Sequence, residues 1–208
     1  NLDHVEIDNT IAPQGACQIG TPGRPLKVIG FNAERGTYWA EFAEMIMSTP
    51  EMEKPDLVIL NEMDIGMARS GNVHTARKLA FRLGMNYAWG LEFVELTNGN
   101  RQEQNVTRDL KNTMGLHGNA ILSTCPLYDP ILVRDKLDER YFSNVAFKGN
   151  DMGSEKRLGG RMAIFVRTGN APSTTDDSGG IAYDLSFPHV IAGSVHKVKP
   201  TTQRKRVW

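Results

Sequence analysis

Two short runs constrain this chain more than anything else in it: Val28-Ile29-Gly30-Phe31-Asn32 and Leu57-Val58-Ile59-Leu60-Asn61-Glu62. In each, consecutive apolar residues pass abruptly into polar ones. A short unbroken apolar run is the pattern of a strand covered on both faces, and the polar residue at its end marks where the chain leaves the core. The two runs therefore predict neighbouring buried strands. Between them Tyr38, Phe42, Met45 and Ile46 recur at helical spacing, and Pro50 and Pro55 close the segment, which predicts a helix over 38–47.

A second helix is predicted over 73–83, where Val73, Ala76, Leu79, Ala80 and Leu83 share one face and Gly84 is placed to end it. Further strands are predicted over 87–96, 118–123, 161–167 and 190–196. The polar stretch 97–112, with Asn98-Gly99-Asn100 as a turn signal, reads as a loop, as do 135–160 and the Gly-, Ser-, Thr- and Asp-rich residues 169–180. Helix and strand alternate early, and strands joined by long loops dominate later. This favours a mixed-sheet sandwich of the α/β or α+β class over a doubly wound parallel sheet. Residues 1–25 hold Pro13, Gly15, Gly20, Pro22, Gly23 and Pro25 without periodicity. They read as an extended N-terminal segment outside a domain spanning 26–208.

The 208 residues are enough for one domain with a sizeable core. The 24 basic side chains balance 24 acidic ones, so a nucleic-acid ligand is compatible with the composition but not supported by charge. No apolar run approaches the roughly 18–20 residues of a membrane span. Cys17 and Cys125 are too few and too far apart to show a metal or disulfide framework. Cys125 reads as a small apolar packing residue, with a single bridge left open. Neither compartment nor oligomeric state can be read from these features.

Chemistry is expected where polar side chains end apolar strands, because strand ends of layered folds can converge on one cleft. Asn32, Glu62 and His196 hold such positions. They offer an orienting amide, a hard-metal carboxylate and a donor to an anionic oxygen. Singly, each has a commoner role: a turn residue, a solvated charge, a structural histidine.

Taken in order, the local sequences resemble the endonuclease/exonuclease/phosphatase superfamily. Phe31-Asn32-Ala33-Glu34 is similar to its first motif, in which an asparagine ends the first strand, and Pro55-Asp56 with the run to Glu62-Met63-Asp64 is similar to its metal-binding glutamate motif. His117-Gly118-Asn119-Ala120-Ile121-Leu122-Ser123 followed by Pro126-Leu127 resembles the family's "G-x-A-I-L-S-x-x-P-apolar" segment. Arg161-Met162-Ala163-Ile164-Phe165-Val166 resembles the arginine-led strand, and Gly193-Ser194-Val195-His196 the strand that ends in a phosphate-contacting histidine, here without the usual Asn-Thr before it.

The resemblance implies a deoxyribonuclease I-like fold: a four-layered α/β sandwich of two mixed β-sheets flanked by helices. It also implies a metal-dependent phosphoesterase, a nuclease included. Glu62, aided by Asn32, would hold Mg²⁺ or Mn²⁺; Asn32, Glu62 and His196 would form the catalytic set, and Arg161 and Asn119 would contact a phosphate-ester substrate. The oxygen ligands suit hard cations, and no His/Cys cluster suggests zinc. The family's later "D-x-N" strand end and acid–histidine pair are expected beyond Trp208. The rival expectation is an inactive family member that serves as a binding or scaffold domain.

Overall fold

The computed structural model describes residues 3–134, 142–146, 154–169, 174–175, 181–182 and 189–195. The chain opens with strand β1 (Val5–Asp8) and then forms β2 (Val28–Asn32), helix α1 (Trp39–Ser48), β3 (Leu57–Ile65), α2 (Thr75–Leu83), β4 (Asn86–Glu95) and α3 (Arg101–Val106). It continues through β5 (Leu116–Ser123), β6 (Leu127–Arg134), β7 (Phe142–Ala146), β8 (Ser154–Gly159) and β9 (Met162–Gly169). The short strands β10 (Thr174–Thr175) and β11 (Ile181–Ala182) and the longer β12 (His189–Val195) follow.

The larger sheet runs in the order β2-β3-β5-β4-β8-β7, with β1 sharing the outer edge of β4. Strands β2 and β3 are parallel, with Asn32 opposite Asn61, while β3–β5 and β4–β5 are antiparallel. The smaller sheet is the antiparallel ladder β12-β9-β6. The continuous apolar run of β3 has a direct cause, since successive residues serve different cores. Val58 and Leu60 face Phe42, Ile46 and Leu79 of the helices, whereas Leu57 joins Ile121, Leu127, Ile164 and Val166 between the two sheets. Both faces of β3 are dry, as the pattern requires. Strand β2 is instead the edge strand and largely exposed, with Val28 45% and Phe31 43% accessible, so the expectation of two buried strands holds for β3 alone.

The architecture is thus mixed α/β, two packed sheets with helices outside, in agreement with the expected class. Three of the four expected layers lie among the described residues: α1 and α2, the larger sheet and the smaller sheet. Helix α2 ends as its sequence signals, with Gly84 in the left-handed conformation receiving the cap. Helix α3 breaks the expected loop 97–112. It starts at Asn100 through a capping box with Glu103, in which each side chain satisfies the other's backbone N–H. Strands β7 and β8 likewise occupy part of the expected loop 135–160.

The lead-in differs most from expectation. Residues 5–8 form a ladder with Tyr87–Gly90 of β4, Ile19 is buried in the inter-sheet core, and Cys17 is disulfide-bonded to Cys125. The segment set outside the domain is packed onto it, and Cys125 is both bridged and fully buried. A segment with little periodicity can dock in this way because one short ladder and one crosslink fix it without an amphipathic face.

Candidate functional site

Strand β3 does not run through the sheet smoothly. Its register against β5 shifts between Leu60 and Met63, and inside that bulge Glu62 adopts φ 60°, the left-handed region that non-glycine residues rarely occupy. The Glu62 N–H points at Asn119 Oδ1, 3.4 Å away on β5. Asn119 is completely buried, its Nδ2 3.7 Å from Met162 Sδ on the second sheet. Next to the bulge, Asn61 Nδ2 donates to Ser194 Oγ at 3.0 Å, and Ser194 Oγ donates to the Leu60 carbonyl at 2.9 Å. These bonds lock β12 of the smaller sheet against the end of β3.

The parallel register of β2 and β3 then brings Asn32 to Glu62. Asn32 Nδ2 donates to Glu62 Oε1 at 3.1 Å, and Asn32 Oδ1 accepts the Glu34 N–H at 3.0 Å. After Asn32 the chain makes a tight 3-10 turn over Glu34–Gly36, with Glu34 at φ 45° and Arg35 at φ 68°. Arg35 Nη1 lies 2.5 Å from Glu62 Oε2 and its Nε donates to Glu103 Oε1 at 2.9 Å. Three left-handed non-glycine residues, Glu34, Arg35 and Glu62, so lie in one short stretch of space. Such conformations cost on the order of 1–3 kcal/mol each and persist where surrounding structure imposes them.

Beneath this layer lies a buried ionic group. Arg69, in the 3-10 turn Ala68–Ser70, donates from Nε and Nη2 to the two oxygens of Asp64, at 2.8 and 3.0 Å, and from Nη1 to Glu103 Oε2 at 3.1 Å. His117 Nδ1 is 2.6 Å from Asp64 Oδ1. Burial pushes the Asp64 carboxyl up, but the hydrogen bond and charge of His117 together with Arg69 outweigh it and hold it below the usual range. Glu62 is thereby joined through Arg35, Glu103 and Arg69 to Asp64 and His117. Gly118 permits the close packing here, since a Cβ on it would stand 2.0 Å from the Gly90 carbonyl oxygen.

Of the residues singled out from sequence, Asn32, Glu62 and Asn119 are brought together. Arg161, just ahead of β9, donates to the buried Glu92 carboxylate at 2.7 Å. His196 lies outside the described residues. Arg35, Asp64, Arg69, Glu103 and His117 were not singled out. Asp64 and His117 were within reach of the reading, flanking Glu62 and Gly118 in the motif segments, but the pairing that gives them meaning joins β3 to β5.

No family model matches the chain, and no curated protein matches it. Among solved structures it is similar to an endonuclease/exonuclease/phosphatase from Beutenbergia cavernae DSM 12333, at 16% identity and a TM-score of 0.48, over 85% of this chain and 39% of that one. The chain therefore spans about two fifths of that protein's length.

Proposed function

We propose that this chain carries a metal-dependent phosphoesterase site centred on Glu62, acting on a phosphodiester or phosphomonoester. One observation carries the reading: a carboxylate displayed by a left-handed bulge within β3, gripped by the Asn32 amide and adjoined by the Arg35 guanidinium. A hard anion donor beside a fixed cation suits both a divalent cation and a phosphate. The Glu62 side chain is 13% exposed, so an ion reaches it from solvent.

Among the described residues no three of His, Cys, Asp or Glu gather into a metal-binding group. The one carboxylate with its amide neighbour fits a cation of the Mg²⁺ kind, which keeps several waters and is commonly held by one or two carboxylates plus substrate oxygens. Glu62 would hold it, with Asn32 fixing the carboxylate's orientation and Asn119 fixing the bulge from below. When bound, such a cation would polarise a phosphoryl oxygen and activate water. The roles of Arg161 in contacting substrate and of His196 in donating to a non-bridging oxygen rest on the resemblance.

The test is calorimetric titration with Mg²⁺ and Mn²⁺ of the parent and of Glu62→Gln, which keeps size and removes charge. Binding by the parent and its loss in the variant are expected; equal affinity overturns the assignment. Turnover of bis-p-nitrophenyl phosphate, with Mn²⁺ and with chelator, then tests the activity. A second reading, a non-catalytic domain that binds a phosphate ligand, is favoured by the arginine that already neutralises Glu62. Under that reading phosphate binding is indifferent to chelator and no turnover follows.

A further inference from the structure

Arg35 is shared between two carboxylates on different elements: Glu62 on β3, through Nη1, and Glu103 on α3, through Nε. The two grips are unequal in kind. Glu103 is built into the framework: its Oε2 accepts the Asn100 N–H at 2.7 Å and Arg69 Nη1 at 3.1 Å, and Arg69 is 3% exposed and doubly bonded to Asp64. Glu62 stands on a bulge at the rim. The three side chains Arg35, Glu62 and Glu103 are 22%, 13% and 18% exposed, so small ions approach them without opening the core.

We propose that Arg35 is a phosphate-binding residue of this site that changes places with a divalent cation on Glu62. This rests on the reading of Glu62 as the metal-holding carboxylate. The Arg35 guanidinium and a divalent cation compete for the same carboxylate, and two cations at that distance repel in a partly buried site. When the carboxylate is taken, Nη1 is released while Nε stays on Glu103. The planar fork, still tethered beside Glu62, is then turned over to an incoming anion, and phosphate is the ligand this fork matches best. Before metal binds, Arg35 keeps the carboxylate neutralised. Afterwards it supplies positive charge to the substrate's phosphoryl oxygens.

The proposal makes two affinities move in opposite directions. Calorimetry with Mg²⁺ alone, then with inorganic phosphate at saturating Mg²⁺, is run on the parent, Arg35→Gln, Glu103→Gln and Glu62→Gln. Arg35→Gln is expected to bind Mg²⁺ roughly tenfold more tightly and phosphate roughly tenfold more weakly, the scale of one charged hydrogen bond. Glu103→Gln, which keeps an acceptor for its neighbours, is expected to weaken both, because Arg35 then leans on Glu62 and is not held in place for phosphate. Unchanged or weaker Mg²⁺ binding by Arg35→Gln, with Glu62→Gln losing it, overturns the exchange; so does unchanged phosphate affinity in Arg35→Gln. If Arg35→Gln does not fold, unchanged Mg²⁺ affinity in Glu103→Gln overturns it instead. Parent-like Mg²⁺ binding by Glu62→Gln defeats the assignment of Glu62, a separate result.

Discussion

Glu62 and Asp64 stand two residues apart on one strand and live in different worlds. Asp64 is fully buried, chelated by Arg69 from two nitrogens and approached at 2.6 Å by His117. Glu62, on the bulge, meets a neutral amide and an arginine at the solvent-facing rim. The difference teaches what a bulge does within a strand. It takes one carboxylate out of the alternation that buries its neighbour, leaving one enclosed in the fold and the other at the rim. A carboxylate enclosed like Asp64 cannot exchange its partners without breaking the core.

The comparison breaks first at Asp64. Asp64→Ala leaves Arg69 and His117 buried without their carboxylate, and loss of one member of a buried pair costs about 3–5 kcal/mol. Denaturant unfolding should register that loss. A change of less than about 1 kcal/mol would mean that Asp64 is no more structural than Glu62.

Next comes the Cys17–Cys125 bridge, which closes a loop of sequence separation 108 at the Leu57–Ser123 end of the sheet, away from Glu62. Its removal by Cys→Ser at both positions should cost about 2–4 kcal/mol while Mg²⁺ affinity stays at the parent value. Altered Mg²⁺ affinity would show that the ligand-facing rim depends on the docking of the lead-in.

Glu62→Gln sharpens the comparison from the other side. The substitution keeps the size of the side chain, and Arg35 keeps its bond to Glu103, so the stability loss is expected to be smaller than that of Asp64→Ala in the same unfolding experiment. A stability loss equal to that of Asp64→Ala would make Glu62 a structural residue and remove the contrast.

What could be read in advance follows the same division. Asn32 and Glu62 stood out because a sudden step from apolar to polar residues is a one-dimensional signal, yet only Asn32 ends its strand, since β3 runs on past Glu62 to Ile65. The helices over 39–48 and 75–83 were legible by period. The buried group was not: Asp64, Arg69, His117 and Glu103 come from two strands, a 3-10 turn and a helix, and charged residues in sequence look alike whether solvated or enclosed. The left-handed φ of Glu62 was equally hidden, since nothing in Asn61-Glu62-Met63 favours it and it is imposed by the register shift against β5. The lead-in had a weak local signal, the apolar–polar alternation of Val5-Glu6-Ile7-Asp8, which the surrounding prolines and glycines obscured.

The smallest expected effect concerns a third carboxylate, intermediate between the two. Glu6 of β1 accepts the Tyr87 hydroxyl and lies 3.3 Å from His74 Nε2, an ionic approach rather than an aligned hydrogen bond. His74 is the main cause that lowers the Glu6 carboxyl from its ordinary value to about 2; partial burial opposes it and Tyr87 assists. A carboxyl lowered on folding contributes stability that is fully present above its unfolded value of 4.5 and is lost as pH falls towards about 2. Because Glu6 is more than a third exposed, solvent screening keeps this contribution modest. The expected result is that Glu6→Gln lowers stability slightly at pH 6 and flattens the fall between about 4.5 and 2, without touching Mg²⁺ affinity. An acid limb identical to the parent's would mean that Glu6 titrates alike in the folded and unfolded chain, and that the β1 ladder, not its carboxylate, holds the lead-in to the sheet.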